Sequence, residues 1–313
     1  MIEIKKDVVL APFTTFRIGG PAKYFTEVGN EDEMKEALSY AKENSLEFFV
    51  MGGGSNLLIS DNGFDGLVIR MTNVSGSVSG EKITCGAGLM LSEAVRLAAS
   101  NGLTGMEWAA GIPGTVGGAV YGNAGAYGGS MSDIIENVKI LEIEKDGTFS
   151  AEIKNCGNSD CSFEYRNSAF KKNGKGIIFS VVLALKKGNK EEIETQVKDI
   201  IEKRKTIHPS GFSAGSVFQN PVVEDQELIE RFERDTGAKV KDNKVPAGWL
   251  VMEAGLKGKK IGGVEVSEKH SNFIVNSGSG KAEDVIILTS MIKQKVREKF
   301  HIQLKEEIRY VGF

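Results

Sequence analysis

Glycine-rich segments are the part of this sequence whose residue types point most directly to chemistry. Residues 108 to 127 consist mainly of glycine and alanine and contain almost no acid, base or nucleophile. Because glycine accepts positive φ angles, successive main-chain N–H groups of such a segment can point into one concavity, as a diphosphate requires. Residues 51 to 56 form a second cluster, which contains three consecutive glycines. Together the two clusters predict a site for a large phosphorylated cofactor.

Neither cluster is a dinucleotide fingerprint, which needs G-x-G-x-x-G between a strand and a helix. After Gly54 the chain continues into the strand-like Leu57, so the helix is missing. A third cluster, Gly86 to Gly88, does precede a helix, but Leu91 occupies the position of the third glycine. Each cluster alone is also compatible with a tight turn. Three clusters in one chain favour ligand binding.

The remaining candidates for metal or thiol chemistry are few. His208, His270 and His301 are scattered without metal-ligand spacing, so we expect no metal site. The odd number of cysteines and the absence of a CxxC pair indicate a reducing compartment rather than a disulfide framework. Cys85 lies close to the Gly86 cluster, where it either contacts the cofactor or packs in the core.

The composition is that of an ordinary globular protein, with 41% hydrophobic and 26% charged residues in 313. A net charge of −3 provides no broad basic surface for a nucleic-acid backbone. The first residues lack the apolar stretch of a secretory signal, and no later apolar run approaches the ~20 residues of a membrane span. We therefore expect a cytoplasmic protein that binds neither nucleic acid nor membrane.

Hydrophobic periodicity predicts the elements that position these segments. Helices are predicted at 31–44, 91–98, 189–205, 225–234, 246–254 and 281–299. Strands are predicted at 48–50, 57–59, 67–69, 83–85, 134–144, 149–153, 177–185, 264–266, 273–275 and 308–311. Turns are predicted at Asp146-Gly147 and Asn173-Gly174.

The order of these elements predicts three domains, at residues 1–75, 76–188 and 189–313. The first is a small α/β unit. The second is mixed, with an antiparallel component. The charged helix at 189–205 is expected to connect to the third domain, which ends on the strand at 308–311.

Several motifs resemble the UDP-N-acetylenolpyruvoylglucosamine reductase family, in its shorter class. The matching segments run in order over nearly the whole chain, at residues 15–21, 52–57, 110–118, 123–127, 165–168, 214–221, 266–267, 270–274 and 304–309. The resemblance implies an α+β protein in which a two-part FAD-binding α/β domain of the vanillyl-alcohol-oxidase (PCMH) type precedes a C-terminal α+β substrate-binding domain.

The resemblance also implies a reaction. In it NADPH reduces FAD, and reduced FAD reduces the enolpyruvyl ether of UDP-N-acetylglucosamine enolpyruvate to a lactyl ether, giving UDP-N-acetylmuramate for peptidoglycan. Such an enzyme would serve cell-wall biogenesis, cell shape and cell division. We expect a monomer. This chain shows no counterpart of the tyrosine-bearing insertion with which the longer class covers the substrate.

Three residues match the catalytic positions of the family. Hydride addition to the vinyl carbon leaves negative charge on its neighbour and the carboxylate, so Arg166 is expected to hold that charge through its planar fork. Ser216 matches the proton donor, and fixed geometry allows a weak acid to protonate a strongly basic carbanion. Glu307 matches the carboxyl group that supports the intermediate, with its proton retained or shared. The adjacent Glu306 should face the opposite side of the strand and be solvated.

The family match also assigns binding residues. Cofactor contacts are expected from Gly52, Gly53, Gly54, Ser55, Asn56, Leu57, Ala110, Gly111, Ile112, Pro113, Gly114, Thr115, Gly117, Gly118, Ala119, Asn123, Gly125, Ala126 and Tyr127. Substrate contacts are expected from Asn220, His270 and Asn272, although a histidine at the start of a strand is as often structural. Two alternatives remain open, namely an FAD-dependent oxidase of a small alcohol or sugar, and a nucleotide-sugar binder without flavin.

Overall fold

A computed structural model describes residues 1–143, 149–174 and 176–313. Their contacts define two compact units, each assembled from separate stretches of the chain. The first unit comprises residues 1–8, 22–53 and 65–206, and the second comprises residues 9–21, 54–64 and 207–313. The three consecutive segments expected from the sequence stay a prediction. The predicted turn at Asp146-Gly147 lies outside the described residues.

Short strands are distributed along the whole described chain. They are β1 (Lys5–Val9), β2 (Pro21–Val28), β3 (Phe48–Met51), β4 (Leu57–Ile59), β5 (Phe64–Met71), β6 (Gly76–Ser79), β7 (Lys82–Gly86), β8 (Leu103–Thr104), β9 (Gly125–Ala126), β10 (Gly129–Ser130), β11 (Ile135–Ile143), β12 (Phe149–Gly157), β13 (Gly176–Ala184), β14 (Lys186–Lys187), β15 (Lys260–Ile261), β16 (Val264–Val266), β17 (Ile274–Asn276) and β18 (Arg309–Val311).

The α-helices are α1 (Glu31–Glu43), α2 (Leu91–Ser100), α3 (Val116–Tyr121), α4 (Ala169–Asn173), α5 (Lys190–Ile207), α6 (Gln226–Thr236), α7 (Ala247–Glu253) and α8 (Ala282–Phe300). Single turns of 3-10 helix occur at Ala11–Phe13, Glu107–Ala109, Met131–Asp133 and Ser159–Cys161. Within the described residues, none of the helices combines the length and apolar composition that crossing a bilayer requires.

The first unit contains two larger sheets. One has the strand order β1-β2-β5-β3, in which β3 pairs with β5 in parallel. The other has the order β12-β11-β13-β7-β6 with antiparallel neighbours, so that Val138 lies opposite Val181. Helices α1 and α2 bury the apolar faces that their periodicity predicted, and α1 begins where the Asn30 side chain accepts the N–H of Glu33 at 2.9 Å.

Helix α5 belongs to this first unit up to residue 206, although the sequence suggested a connector to a third domain. Ile193 is buried, and Val197, Ile200 and Ile201 pack against the same core as the two sheets. These four apolar residues form one stripe along α5. Because the stripe is buried on one core, α5 is an integral part of that unit.

The second unit has its own core, to which all three of its stretches contribute. Phe16 and Leu58 pack with buried residues of the C-terminal stretch, among them Phe218. Its sheets are β15-β16-β17 and the two-stranded parallel pair β18-β4, in which Arg309 lies opposite Leu57. The mixture of helices and strands in both units confirms the predicted α+β class.

Candidate functional site

In the first unit, Gly52 and Gly53 of one predicted glycine cluster lie against Gly114 and Thr115 of another. A Cβ on Gly53 would stand 3.0 Å from the Cα of Gly114, and a Cβ on Gly52 would overlap the Thr115 hydroxyl. The backbones therefore approach to a distance that only glycine allows. The structure brings these residues together, as a shared cofactor loop requires.

The cluster at 86–88 and the residues that follow it support the glycine-rich segment at 108–127 through main-chain hydrogen bonds. Gly117 N–H donates to Ala87 O at 2.9 Å, and Val116 N–H donates to Leu89 O at 2.8 Å. In return, Leu91 N–H donates to Gly114 O at 2.9 Å. Although the cluster at 86–88 lacks a dinucleotide fingerprint, it fixes the position of the segment that we expect to bind the cofactor.

The segment from 108 to 127 is not one continuous loop, because it contains helix α3. The Thr115 hydroxyl accepts the N–H of Gly118 at 3.3 Å and so caps this helix. Sequence reasoning missed α3 because glycine at 117 and 118 opposes helix formation. The close contact of Gly117 with Ala87 stabilises the helical turn in spite of that propensity.

Gly53 and Gly54 both have main-chain amides suited to an anion. In the described part of the chain, neither N–H donates a hydrogen bond to a protein acceptor. Gly54 has φ +60°, in the left-handed region. A side chain at this position would overlap the carbonyl of Phe13. Unpaired amides without side chains fit a diphosphate group, and on this observation the residues present fit FAD.

Polar side chains at 123 and 168 fix the segment that carries Arg166. The Asn123 amide donates to Glu164 O at 2.9 Å and accepts the N–H of Ser132 at 3.1 Å. The buried hydroxyl of Ser168 donates to Tyr121 O at 2.7 Å. Both contacts join the glycine-rich segment to the loop around Arg166.

Arg166 itself contacts a predicted cofactor residue. Its Nη2 donates to Gly125 O at 2.7 Å, and its Cζ lies 5.2 Å from the centre of the Tyr165 ring. The backbone has φ +56°, an uncommon conformation for a residue with a side chain. The Nζ of Lys171 donates to the Arg166 carbonyl at 3.1 Å and supports this turn.

Two cations beside Tyr127 were not predicted as site residues. The Nζ of Lys203 and the Cζ of Arg204 lie 5.2 and 5.1 Å from the centre of the Tyr127 ring. Burial lowers the pKa of Arg204, and its Nε is buried without a hydrogen-bond partner among the described residues. A Cβ on Gly111 would stand 2.8 Å from Arg204 Cδ, so the glycine admits the side chain.

In the second unit, Ser216 and Glu307 belong to neighbouring strand segments. Glu307 N–H donates to Val217 O at 2.7 Å, and Gln219 N–H donates to Lys305 O at 2.9 Å. Phe218 forms the antiparallel bridge with Glu306. The backbone of Ser216 is therefore next to that of Glu307, although 91 sequence positions separate them. The family resemblance led us to expect Ser216 and Glu307 in one site, whereas periodicity alone carries no information on this backbone pairing.

Glu306 is not solvated as predicted. Its carboxylate lies 2.8 Å from the Nζ of Lys293, and its side chain is only 24% exposed. The correction has a simple cause, since the Glu306 carboxylate lies against Lys293 of helix α8 rather than in open solvent. That Glu306 and Glu307 occupy different faces stays a prediction.

Asn272 is committed to the backbone of Phe218. Its Oδ1 accepts Phe218 N–H at 3.0 Å, and its Nδ2 donates to Phe218 O at 2.8 Å. The side chain is 4% exposed, and the Asn272 carbonyl accepts the N–H of Val217 at 2.8 Å. These contacts fix the segment that follows Ser216.

Asn220 and His270 also make contacts within the protein. The Asn220 Oδ1 accepts the N–H of Ala247 at 3.0 Å, at the start of helix α7. His270 Nδ1 accepts the N–H of Asn272 at 3.3 Å, and the His270 ring lies 4.9 Å from that of Phe273. Burial lowers the pKa of His270. Their expected substrate contacts stay predictions.

The other predicted cofactor residues occupy defined places. Asn56 and Leu57 adjoin strand β18 in the second unit, where Arg309 N–H donates to Asn56 O at 2.9 Å. The rest lie beside these residues or along the glycine-rich segment, at Ser55, Ala110, Ile112, Pro113, Gly118, Ala119 and Ala126. Their contacts with a cofactor stay predictions.

Two family models match this chain. The model described as UDP-N-acetylenolpyruvoylglucosamine reductase, C-terminal domain, matches residues 208–311. The model described as FAD binding domain matches residues 22–150. The second match includes both glycine clusters that meet at Gly53 and Gly114.

Full-length relatives are similar over the whole chain. The UDP-N-acetylenolpyruvoylglucosamine reductase of Solibacter usitatus (strain Ellin6076) is 37% identical over 99% of this chain and 97% of its own length. The protein of that name from Caldicellulosiruptor bescii is 39% identical over 99% of this chain and 91% of its own length. The crystal structure of UDP-N-acetylenolpyruvylglucosamine reductase from Thermus caldophilus is 32% identical, with a TM-score of 0.78 over 99% of this chain and 100% of that one.

Proposed function

Because this chain belongs to the UDP-N-acetylenolpyruvoylglucosamine reductase family, we propose that it reduces the enolpyruvyl ether of UDP-N-acetylglucosamine enolpyruvate to the lactyl ether of UDP-N-acetylmuramate. It is an oxidoreductase of peptidoglycan precursor synthesis with an FAD-binding domain, and its cofactors are FAD and NADPH. The reaction adds one hydride and one proton across a carbon–carbon double bond.

The glycine clusters are the residues that would hold FAD. The amides of Gly53 and Gly54 suit its diphosphate, and the close approach of Gly52 to Thr115 leaves backbone rather than side chains at the loop surface. When bound, FAD supplies the transfer of reducing equivalents from NADPH to the vinyl carbon of the substrate. The chain must then bind the substrate, hold its developing charge and deliver a proton.

Arg166 holds the negative charge that develops on the substrate carboxylate and the adjacent carbon. Its guanidinium presents a planar fork, which matches a carboxylate through two parallel hydrogen bonds. The contact of Nη2 with Gly125 O fixes the direction of that fork beside the predicted cofactor segment. A donor that is already oriented stabilises the developing charge without reorganisation.

Ser216 donates the proton to the carbon next to the reduced one. A serine hydroxyl is a weak acid, but the carbanion is a strong base, so orientation rather than acidity limits this step. The hydrogen bonds of Asn272 to Phe218 hold the neighbouring backbone, which restricts the path of the hydroxyl.

Glu307 supports the intermediate from the adjacent strand segment. A second negative carboxyl group beside the substrate carboxylate would be repelled, so Glu307 acts with its proton retained or shared. The strongest support for this pairing of roles is the 2.7 Å hydrogen bond from Glu307 N–H to Val217 O, one residue after Ser216.

The remaining features of the function rest on the family resemblance and, for the cytoplasmic location, on the sequence. We propose that Asn220, His270 and Asn272 contribute to the substrate site, in addition to the internal contacts that Asn272 makes. We also propose that the enzyme acts as a monomer in the cytoplasm.

A visible absorbance titration tests the reaction. The purified protein should be yellow, lose the colour with NADPH in the absence of oxygen, and regain it on addition of the enolpyruvyl sugar nucleotide. Return of the colour with oxygen and not with the sugar nucleotide would indicate an oxidase instead. A colourless protein that binds the sugar nucleotide and cannot be reconstituted with FAD would indicate a binding protein.

A further inference from the structure

Asn56 lies between a predicted cofactor loop and the segment that carries Glu307, which precedes strand β18. Its carbonyl accepts the N–H of Arg309 at 2.9 Å, as the parallel pairing of β4 with β18 requires. Its side-chain Nδ2 donates to the carbonyl of Glu307 at 3.0 Å. Both contacts lie within the second unit. Asn56 therefore holds the peptide groups on both sides of Ile308.

The side chain of Asn56 replaces a main-chain donor at the end of this ladder. In a regular parallel pair, the backbone N–H of one strand reaches the carbonyl of every second residue on its neighbour. The ladder registers Leu57 with Arg309 and continues to Ile59 with Val311. Upstream of that pair the chain turns into the glycine cluster, and the Asn56 amide reaches the Glu307 carbonyl instead.

The Glu307 peptide is consequently held from two sides. Its N–H is bound by Val217 O from the segment that follows Ser216, and its carbonyl is bound by Asn56. The side chain leaves the backbone between these two bonds. Removing either bond would allow the Cα of Glu307 to move, and a displacement of about 1 Å can reduce a catalytic rate about 100-fold.

We propose that Asn56 is a positioning residue for Glu307, in a reaction that rests on the function proposed above. The family resemblance assigns Asn56 to the cofactor, and the geometry gives its amide a further task. Through Asn56, the chain that leaves the glycine cluster fixes the carboxyl group that supports the intermediate.

The variants N56D and N56A test this role in the FAD-loaded full chain. N56D keeps the size of the side chain but turns an acceptor towards the Glu307 carbonyl, and N56A removes the donor without adding charge. N44D is the matched control, because the Asn44 amide donates to a backbone carbonyl, that of Tyr40, at 2.8 Å in helix α1. The circular dichroism spectrum of each variant establishes that it is folded.

The two half-reactions separate positioning from cofactor binding. We expect the N56D and N56A proteins that retain FAD to be reoxidised by the enolpyruvyl sugar nucleotide about 10- to 100-fold more slowly than the wild type, a larger loss than in their reduction by NADPH. N44D should match the wild type in both. Loss of FAD, or equal slowing of both half-reactions, would instead make Asn56 a cofactor ligand and overturn the proposal.

Hydrogen exchange provides a readout that does not depend on activity. The amides of the peptide that covers residues 304 to 311 should exchange about tenfold faster in both Asn56 variants, because the end of the β4–β18 ladder is released. In N44D, the exchange rate of this peptide should equal that of the wild type. Unchanged exchange, or failure of both variants to fold, would overturn the proposal. If the wild type itself were not reoxidised by the sugar nucleotide, the proposed function would fail, and exchange alone would decide the local role of Asn56.

Discussion

Gly52 and Thr115 are in direct contact, and the threonine hydroxyl occupies the place that a side chain at residue 52 would need. The same hydroxyl caps helix α3 by accepting the N–H of Gly118. One oxygen atom thus joins the glycine cluster at 51–56 to the start of helix α3 in the segment 108–127.

Gly52→Ala should destabilise the protein by about 1–3 kcal/mol, because the new methyl group must displace the Thr115 hydroxyl. Thr115→Ala alone should lower the free energy of unfolding by about 1 kcal/mol through loss of the cap. The double variant should be more stable than the sum of the two single losses predicts, because it removes the overlap between the new methyl group and the Thr115 hydroxyl. Urea unfolding measures the change in the free energy of unfolding, and the flavin content of the purified protein measures FAD retention. Gly29→Ala is the control, because its Cβ would meet nothing closer than 3.5 Å.

Ser216→Ala should leave reduction of the flavin by NADPH fast and slow its reoxidation by substrate about 100- to 10,000-fold. The reason is that only the second half-reaction requires the proton. Stopped-flow absorbance of each half-reaction measures the difference. Ser213→Ala, in the same segment, should behave like the wild type. Equal slowing of both half-reactions by Ser216→Ala would contradict the role.

Glu307→Gln and Glu306→Gln should separate catalysis from stability. Glu307→Gln should slow reoxidation about 100-fold with little effect on unfolding. Glu306→Gln breaks the ion pair with Lys293, in which both side chains are about one-third exposed or less, and should cost about 0.5–1 kcal/mol of stability with normal turnover. If Glu306→Gln lost activity while Glu307→Gln kept it, the catalytic carboxyl group would be that of Glu306.

Thiol reactivity should differ among the three cysteines. Burial raises the pKa of Cys85 and of Cys161 to about 12, whereas Cys156 is only partly buried. Because the thiolate is the reactive form, both buried thiols should resist iodoacetamide at pH 8, and their reactivity should rise about tenfold per pH unit while the protein stays folded. Peptide mass spectrometry after timed alkylation measures each site. Rapid modification of Cys85 in the folded protein would contradict this burial.

Much of the fold could be predicted from the sequence where local signals are strong. Helices α1, α6 and α8 have clear apolar spacing, and the side chains of Asn30 and Asp225 cap two of them. Strands β1 and β2 were missed because most of the residues of β1 are exposed and charged residues interrupt β2. Helix α3 was missed because its glycines oppose a helix that tertiary contacts impose.

The glycine-rich part of the candidate site could be predicted from residue types, whereas the catalytic residues could be predicted only through motif resemblance. No local signal identifies Arg204, because a charged helix end is typical of a solvated face. Nor does any local signal pair Asn56 with Glu307, which are 251 residues apart. Interactions at that separation depend on the whole topology, and neither residue type nor periodicity encodes them.

The second unit draws its first strand, β4, and its core residue Phe16 from the early part of the chain, while its partner strand β18 comes last. During synthesis on the ribosome, those early stretches emerge long before the residues that complete their core. They must wait, as nascent polypeptide, until the residues of β18 have been synthesised. Closing such long loops is entropically slow, so truncation near the carboxyl terminus should leave this half of the molecule unable to mature.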